Sequence, residues 1–203
     1  LRAPPTEEAT AGVDIARYGA DWSCMAIRRG LHLEEFIKWH GVDTVETTER
    51  VMAEANRYGI NPKRDLGTKG TLRTRGVLIV DEAGLGAGPS DMLRRTHGYH
   101  VLGFNSARRA RRHKQFHNRR AEAFFGLRDK LMEGTVAIPH DVELWAELIA
   151  TEYFENDQGR LQIEKKDQLS ARLGRSPDKA DACAMCFSDD AYSRRVRVGS
   201  MVN

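Results

Sequence analysis

Short apolar runs separated by glycine-containing turns open the chain. Strands are predicted at Ala11–Arg17, Ser23–Arg29 and His32–Trp39. Connections this short join antiparallel neighbours, because a parallel crossover needs about a dozen residues or more. The first three strands therefore predict an antiparallel meander, and the apolar spacing that follows predicts an amphipathic helix over Asp43–Tyr58.

A continuous apolar run, Gly76–Asp81, predicts a strand that is covered on both faces. A glycine-rich loop, a helix over Pro89–His97 and another strand over Tyr99–Phe104 follow it. A strand–helix–strand order implies a parallel portion of sheet. The polar and basic stretch Asn61–Arg75, which precedes this unit, predicts a loop.

The C-terminal half is predicted to be mostly helical, with one hairpin around Asn156–Asp157. Its predicted helices are Arg119–Glu133, Asp141–Thr151, Lys166–Leu173 and one that starts at Ser176–Pro177–Asp178 and runs to Tyr192. These elements predict an α/β fold with a mixed sheet flanked by helices. We divide the chain into an entry linker (1–10), one domain (11–192) and a basic tail (193–203).

Composition bounds the class of protein. The 203 residues fit one domain, and the net charge of +3 is mild. No apolar run approaches the roughly 20 residues of a membrane-spanning helix. The three cysteines indicate a reducing compartment, and the Cys183–Cys186 pair lies in a predicted helix without further zinc ligands nearby in sequence. Because the chain begins with Leu1, we expect it to be a piece of a longer protein.

Acidic residues stand at the ends of the predicted elements. Asp14 lies in the first strand and Asp81 ends the apolar one, whereas Asp178 and Asp181 share a face of the last helix. Carboxylates that are brought together repel and raise each other's pKa. Mg²⁺ or Mn²⁺ removes this conflict, and two such ions can support phosphodiester hydrolysis. These four acids are therefore a candidate metal site.

Each acid also has a purely structural explanation. Asp14 can open a turn, Asp81 can be solvated at a strand end, and the helix dipole favours Asp178 at a helix N-terminus. Asp181 can lie on a solvated helix face. The glycines of Gly84–Gly88 lack the G-x-x-x-x-G-K-[ST] pattern of a phosphate-binding loop, which argues against an ATPase.

Three stretches, in this order, resemble the nuclease domain of phage terminase large subunits. They are GVDIARYGADWS from Gly12, VLIVDEAGLGAGPSDML from Val77 and LGRSPDKADACAM from Leu173. The resemblance extends from Ala11 to Phe187. It implies a ribonuclease H-like fold and a two-metal endonuclease that cleaves concatemeric double-stranded viral DNA during genome packaging. Because the sequence shows no base-reading motif, we expect little sequence specificity.

The resemblance also implies roles for individual residues. Asp178 would be an auxiliary ligand or a helix-start residue, Asp21 a second acid of open role, and Lys166 a phosphate or water contact. The cofactor would be Mg²⁺ or Mn²⁺, as two ions. The implied metal-binding and catalytic triad is Asp14, Asp81 and Asp181.

Partners and location follow from the same resemblance. It implies double-stranded DNA as substrate, an N-terminal packaging ATPase domain, a small terminase subunit and a portal as partners, and the cytoplasm of the host cell as location. No membrane is implied. Without the ATPase part we expect no DNA translocation, and weak or poorly controlled cleavage.

A basic segment, residues 106–120, is the other candidate site. Its cations can bind backbone phosphates without reading sequence, or form an ordinary solvated face. Two further functions stay open: a Holliday-junction resolvase or integrase-like nuclease, and a nonenzymatic DNA-binding module. The predicted DNA-binding residues are Arg108, Arg109, Arg111, Arg112, Lys114, Arg119 and Arg120.

Overall fold

The computed structural model describes residues 7–16, 22–64 and 73–188. The strands are β1 (Ala9–Asp14), β2 (Ser23–Arg29), β3 (His32–Trp39), β4 (Asn61–Arg64), β5 (Arg73–Arg75), β6 (Val77–Asp81), β7 (Val101–Phe104), β8 (Tyr153–Glu155) and β9 (Leu161–Ile163). The helices are α1 (Thr44–Arg57), α2 (Ala87–Asp91, continued by a π-helical turn over Met92–Thr96), α3 (Arg119–Met132), α4 (Val142–Ala150), α5 (Lys166–Leu173) and α6 (Asp178–Cys186).

The main sheet of these described ranges has five strands in the order β3-β2-β1-β6-β7. β2 runs antiparallel to both β1 and β3, whereas β1, β6 and β7 are parallel. The predicted meander and the predicted parallel portion are both confirmed. The α/β fold class, a mixed sheet flanked by helices, is confirmed with them.

Both faces of the sheet are covered, which explains the continuous apolar run in β6. Leu78 and Val80 belong to a cluster of buried side chains that includes Val51 of α1, whereas Ile79 lies in a second cluster with α3 and α6. Successive strand residues point to opposite faces of the sheet. Because helices cover both faces of β6, neither set of its side chains before Asp81 is polar.

Helix α6 lies directly on β1 and β2 because its residues are small and β1 has a glycine at the crossing. A Cβ atom on Gly12 would lie 2.3 Å from the Ala182 carbonyl oxygen and 2.8 Å from the Cys186 nitrogen. The Cys186 thiol contacts the Thr10 carbonyl oxygen at 3.5 Å. Cys183 and Cys186 are free and buried in α6.

A carboxylate from another helix caps the N-terminus of α6. The cap residue Pro177 offers no side-chain acceptor, and the fully buried Glu147 of α4 accepts a hydrogen bond from the Ala180 amide at 2.7 Å. Glu147 is also paired with Arg175. Ser176 does not cap α6, because its hydroxyl donates to the Asp178 carboxylate, at 2.5 Å.

The structure differs from the predicted elements in a few further places. Asn61–Arg75 contains a two-stranded ribbon, β4 with β5, rather than a loop; backbone pairing forms it without an apolar alternation. β1 begins at Ala9, inside the predicted linker, and the helix predicted from Pro89 begins at Ala87. Residues 1–6 of the linker and the tail 193–203 lie outside the described residues. No helix of the described ranges is long and apolar enough to cross a membrane.

We expect Gly12→Ala to destabilise the fold, because its methyl group would overlap the α6 backbone. Overpacking of this kind costs about 1–3 kcal/mol, which urea unfolding would measure. Gly126→Ala in α3 is the matched control, since the added Cβ would meet only the Lys130 amine at 3.9 Å. Alanine is the better helix former, so this control should gain up to about 1 kcal/mol. Equal stability of the two variants would contradict the packing role of Gly12.

Candidate functional site

A cleft of about 100 Å³ opens where β1 and β6 end. Val13 and Val80 are register partners in neighbouring parallel strands, so Asp14 and Asp81 emerge at the same edge of the sheet. Asp181 reaches the cleft from the first turn of α6. The lining residues are Asp14, Asp81, Phe104, Ser106, Arg120, Ala123, Phe124, Lys166, Asp181, Ala184 and Met185.

The Asp14 carboxylate is buried and ion-paired. The Lys166 amine donates a hydrogen bond to its Oδ2 atom at 2.8 Å. Burial raises the pKa of Asp14, and the charges of Asp181 and Asp178 raise it further against the opposing effect of Lys166. A carboxyl group in this environment gains from any additional positive charge.

The Asp181 carboxylate is fixed by an arginine from α3. Arg120 donates from Nε to Oδ1 of Asp181 at 2.8 Å and from Nη1 to the Glu164 carbonyl oxygen at 2.7 Å. The guanidinium group also lies 4.9 Å from the centre of the Phe124 ring. Burial acts to raise the pKa of Asp181, but the charges of Arg120 and Lys166 outweigh it and the pKa is lowered. Asp181 is therefore held in its ionised form.

Asp81 differs from the other two acids because its hydrogen bond comes from the backbone. The Ala83 amide donates to Oδ1 of Asp81 at 2.9 Å. Burial raises the pKa of Asp81 to about 6, against the stabilising effect of that backbone hydrogen bond. Its charge is thus the least compensated of the three that line the cleft.

Lys166 stands among the acids. Its amine lies 2.8 Å from Asp14 and 3.5 Å from a carboxylate oxygen of both Asp178 and Asp181. Burial opposes the charge on the amine, but the surrounding carboxylates outweigh it and raise the pKa of Lys166. The sequence-based expectation placed Lys166 at this site as a phosphate or water contact; the geometry gives it carboxylate partners.

Asp178 lies behind the cleft rather than in its wall. It is the first residue of α6, 2% exposed, and its carboxylate contacts the Ser176 hydroxyl and the Lys166 amine. Of the two roles considered for it, the helix-start role fits this position better. Asp21 lies outside the described residues.

The donor set of the cleft is made of carboxylate oxygens, which suits Mg²⁺ or Mn²⁺. Within residues 7–16, 22–64 and 73–188, however, no three histidine, cysteine, aspartate or glutamate side chains are arranged to hold an ion as they stand. Lys166 and Arg120 hold the oxygens of Asp14 and Asp181 instead. The carboxylate oxygens suit a hard divalent cation, which would take the position of the Lys166 amine between Asp14 and Asp181.

The predicted DNA-binding cations fall into two groups. Arg119 and Arg120 point inward, with side chains 18% and 13% exposed, because α3 packs on α6, where Arg120 reaches Asp181. Arg119 lies over the Phe104 ring. The sequence predicts that Arg120 binds DNA phosphates, and the structure gives it Asp181 as a partner. The exposed cations are Arg108, Arg109, Arg111, Arg112 and Lys114.

Sequence reasoning missed two features of this region. It assigned Arg120 to phosphate rather than to Asp181, and it gave no role to Glu122, whose carboxylate accepts hydrogen bonds from the Arg111 and Arg112 amides. A signal for Glu122 does exist in the sequence: it is the first acidic residue after Asp91. An acid directly after so basic a stretch points to a hydrogen bond or ion pair with that stretch.

Comparison with known proteins finds likeness in structure alone. No protein-family model matches the chain, and no curated protein matches its sequence. The nuclease domain of the large terminase subunit gp2 of bacterial virus Sf6 matches with a TM-score of 0.66 at 20% identity, over 89% of this chain and 87% of that one. A mutant of that domain with manganese and beta-thujaplicinol gives 0.72 at 19%, over 91% and 89%.

A second phage gives the same result. The large terminase nuclease from thermophilic phage G20c with bound magnesium matches with a TM-score of 0.64 at 15% identity, over 91% of this chain and 82% of that one. The described chain therefore has the ribonuclease H-like fold of terminase large-subunit nuclease domains.

Proposed function

We propose that this chain is the nuclease domain of a phage terminase large subunit, a metal-dependent endonuclease that cleaves concatemeric double-stranded viral DNA during packaging. One observation carries the proposal: acids from three separate elements, Asp14, Asp81 and Asp181, converge in one cleft. The shared fold with phage terminase nucleases supports it. Those similar domains include structures with manganese and magnesium.

Asp14, Asp81 and Asp181 would hold Mg²⁺ or Mn²⁺, as two ions. Such cations supply stabilisation of negative charge on phosphoryl oxygens when bound. Arg120 keeps Asp181 ionised and fixes one of its oxygens. Lys166 neutralises the acids from within the cleft and is anchored by the buried Asp178.

The exposed cations of the basic segment would bind the DNA backbone beside the acids. The segment begins at Ser106 and ends at Arg120, and both of these residues line the cleft. Phosphate contacts position a duplex without reading its bases, so we expect little sequence specificity. Asp21 is proposed as an auxiliary acid, on the resemblance alone.

The remaining parts of the proposal concern the assembly. A packaging ATPase domain on the N-terminal side, a small terminase subunit and a portal would be the partners. The domain would act in the cytoplasm of the infected host cell.

We expect Asp81→Asn to abolish cleavage of plasmid DNA in Mn²⁺ or Mg²⁺, with a loss of at least about 100-fold. This is the size expected when a few kcal/mol of transition-state charge stabilisation is removed. Asp91→Asn is the matched control, because Asp91 is an exposed acid outside the cleft, paired with Arg94. Agarose-gel cleavage rates, with EDTA as the metal-free reference, make the measurement.

Two results would redirect the assignment. Undiminished cutting by the Asp81 variant would remove Asp81 from the site. Metal-independent DNA binding without any cutting by the wild type would favour a nonenzymatic module, and preference for branched over linear duplex would favour a resolvase.

We expect Asp181→Asn and Asp178→Asn to behave differently. Asp181 lines the cleft, so its variant should lose at least about 100-fold in metal-dependent cleavage. Asp178 lies behind the cleft and is almost fully buried, so its variant should lower the melting temperature while it retains cleavage within about tenfold. Cleavage rates and thermal melts of both variants test this. An equal loss of cleavage with unchanged stability would make Asp178 a metal ligand as well.

A further inference from the structure

Glu122 is the first acid after the basic segment, the most basic part of the chain. The sequence has no acidic residue between Asp91 and Glu122, and six arginines and a lysine lie between 107 and 121. The carboxylate is nevertheless buried, with its side chain 11% exposed. A buried carboxylate is costly unless hydrogen bonds compensate it. The partners of Glu122 therefore indicate what it does.

Two of these partners are consecutive backbone amides of the basic segment. The Arg111 amide donates to Oε2 of Glu122 at 2.8 Å, and the Arg112 amide donates to Oε1 at 2.9 Å. The Arg112 side chain adds a contact of 3.4 Å, and Arg119 lies 3.9 Å away. Both carboxylate oxygens thus hold the middle of the segment by its backbone.

The ends of the segment are fixed as well. The Arg119 amide donates to the Arg108 carbonyl oxygen at 2.8 Å, and the Arg120 amide donates to the Ser106 carbonyl oxygen at 3.0 Å. Because Ser106 and Arg120 line the cleft, these bonds close the base of the loop at the wall of the acidic site. The segment is joined to the cleft at both ends.

Apolar anchors fix the rest of the loop. Ala110 is 3% and Phe116 1% exposed, and the Arg112 guanidinium lies 4.8 Å from the centre of the Phe116 ring. Around these anchors the side chains of Arg108, Arg109 and Lys114 are exposed. The backbone is held from inside while the cations face outward.

We propose that Glu122 is a positioning residue: its carboxylate presets the basic segment so that the exposed cations bind the phosphates of duplex DNA beside the cleft. The proposal rests on the proposed DNA substrate. The charge of Glu122 by itself repels DNA phosphates and weakens binding. Under the proposal, its hydrogen bonds to the Arg111 and Arg112 amides favour DNA binding by more than this repulsion opposes it.

Glu122→Ala tests this by the sign of its effect. The net charge of the variant is more positive by one, so electrostatics alone predicts tighter DNA binding. Loss of the preset segment predicts weaker binding, by about fivefold for a short duplex, and a salt slope reduced by about one or two phosphate contacts. Asp129→Ala, seven residues along the same helix and half-exposed, makes the same charge change without touching the segment. Fluorescence anisotropy, in buffer without divalent cations and at several salt concentrations, measures the DNA affinity of both variants.

Glu122→Gln separates hydrogen bonding from charge. It has the charge of the alanine variant but keeps one acceptor oxygen, so we expect its DNA affinity to lie between those of wild type and Glu122→Ala. Thermal melts of the full chain show that each variant is folded. If the alanine variant does not fold, the glutamine variant carries the test.

Trypsin gives a reading that needs no DNA. Release of the segment should speed cleavage after the arginines and lysine between 108 and 114 in Glu122→Ala, but not in Asp129→Ala. Unchanged trypsin sensitivity overturns the proposal, as does DNA binding that tightens equally in both alanine variants. If trypsin separates the variants but the wild type fails to bind duplex DNA, the proposed function fails and the DNA role of Glu122 is overturned with it.

Discussion

The close packing of α6 on β1 is the constraint on which the site depends. Gly12 has no side chain, so the α6 backbone passes within 2.3 Å of where a Cβ would lie. This contact brings Asp181 on the helix to the edge of the sheet where Asp14 ends β1. The small residues of α6 contribute from the other side of the contact. A bulkier strand or helix would separate the acids and open the cleft.

Bringing the acids together has an electrostatic cost, and the chain offsets it with its own cations. Burial and neighbouring charge raise the pKa of Asp14, and burial raises that of Asp81 to about 6. Lys166 and Arg120 compensate Asp14 and Asp181, whereas Asp81 receives a backbone hydrogen bond. A cleft with more carboxylates than cations stays attractive to positive charge. Its packing thus leaves three carboxylates against two cations at the site where a divalent ion is proposed.

The first turn of α3 links the two candidate sites. Arg120 points to the cleft and binds Asp181, whereas Glu122, two residues further on, accepts the amides of the basic segment. Glu122 thus stabilises the basic segment, and Arg120 stabilises the acidic cleft. The same turn therefore holds the acidic wall of the cleft and the basic loop at its rim.

The sequence by itself determined most of the elements, since hydrophobic periodicity and turn residues act locally: β2, β3 and α5 have the predicted bounds. It also placed Asp14 in the first strand and Asp81 at the end of the apolar strand. Only the tertiary structure decided which charges meet, because Lys166 and Asp14 are 152 residues apart in the chain. For the same reason it alone turned Arg120 inward, gave α6 its cap from Glu147 and put Asp178 behind the cleft. Ion pairs and caps between distant segments depend on distance in space, which local pattern does not contain.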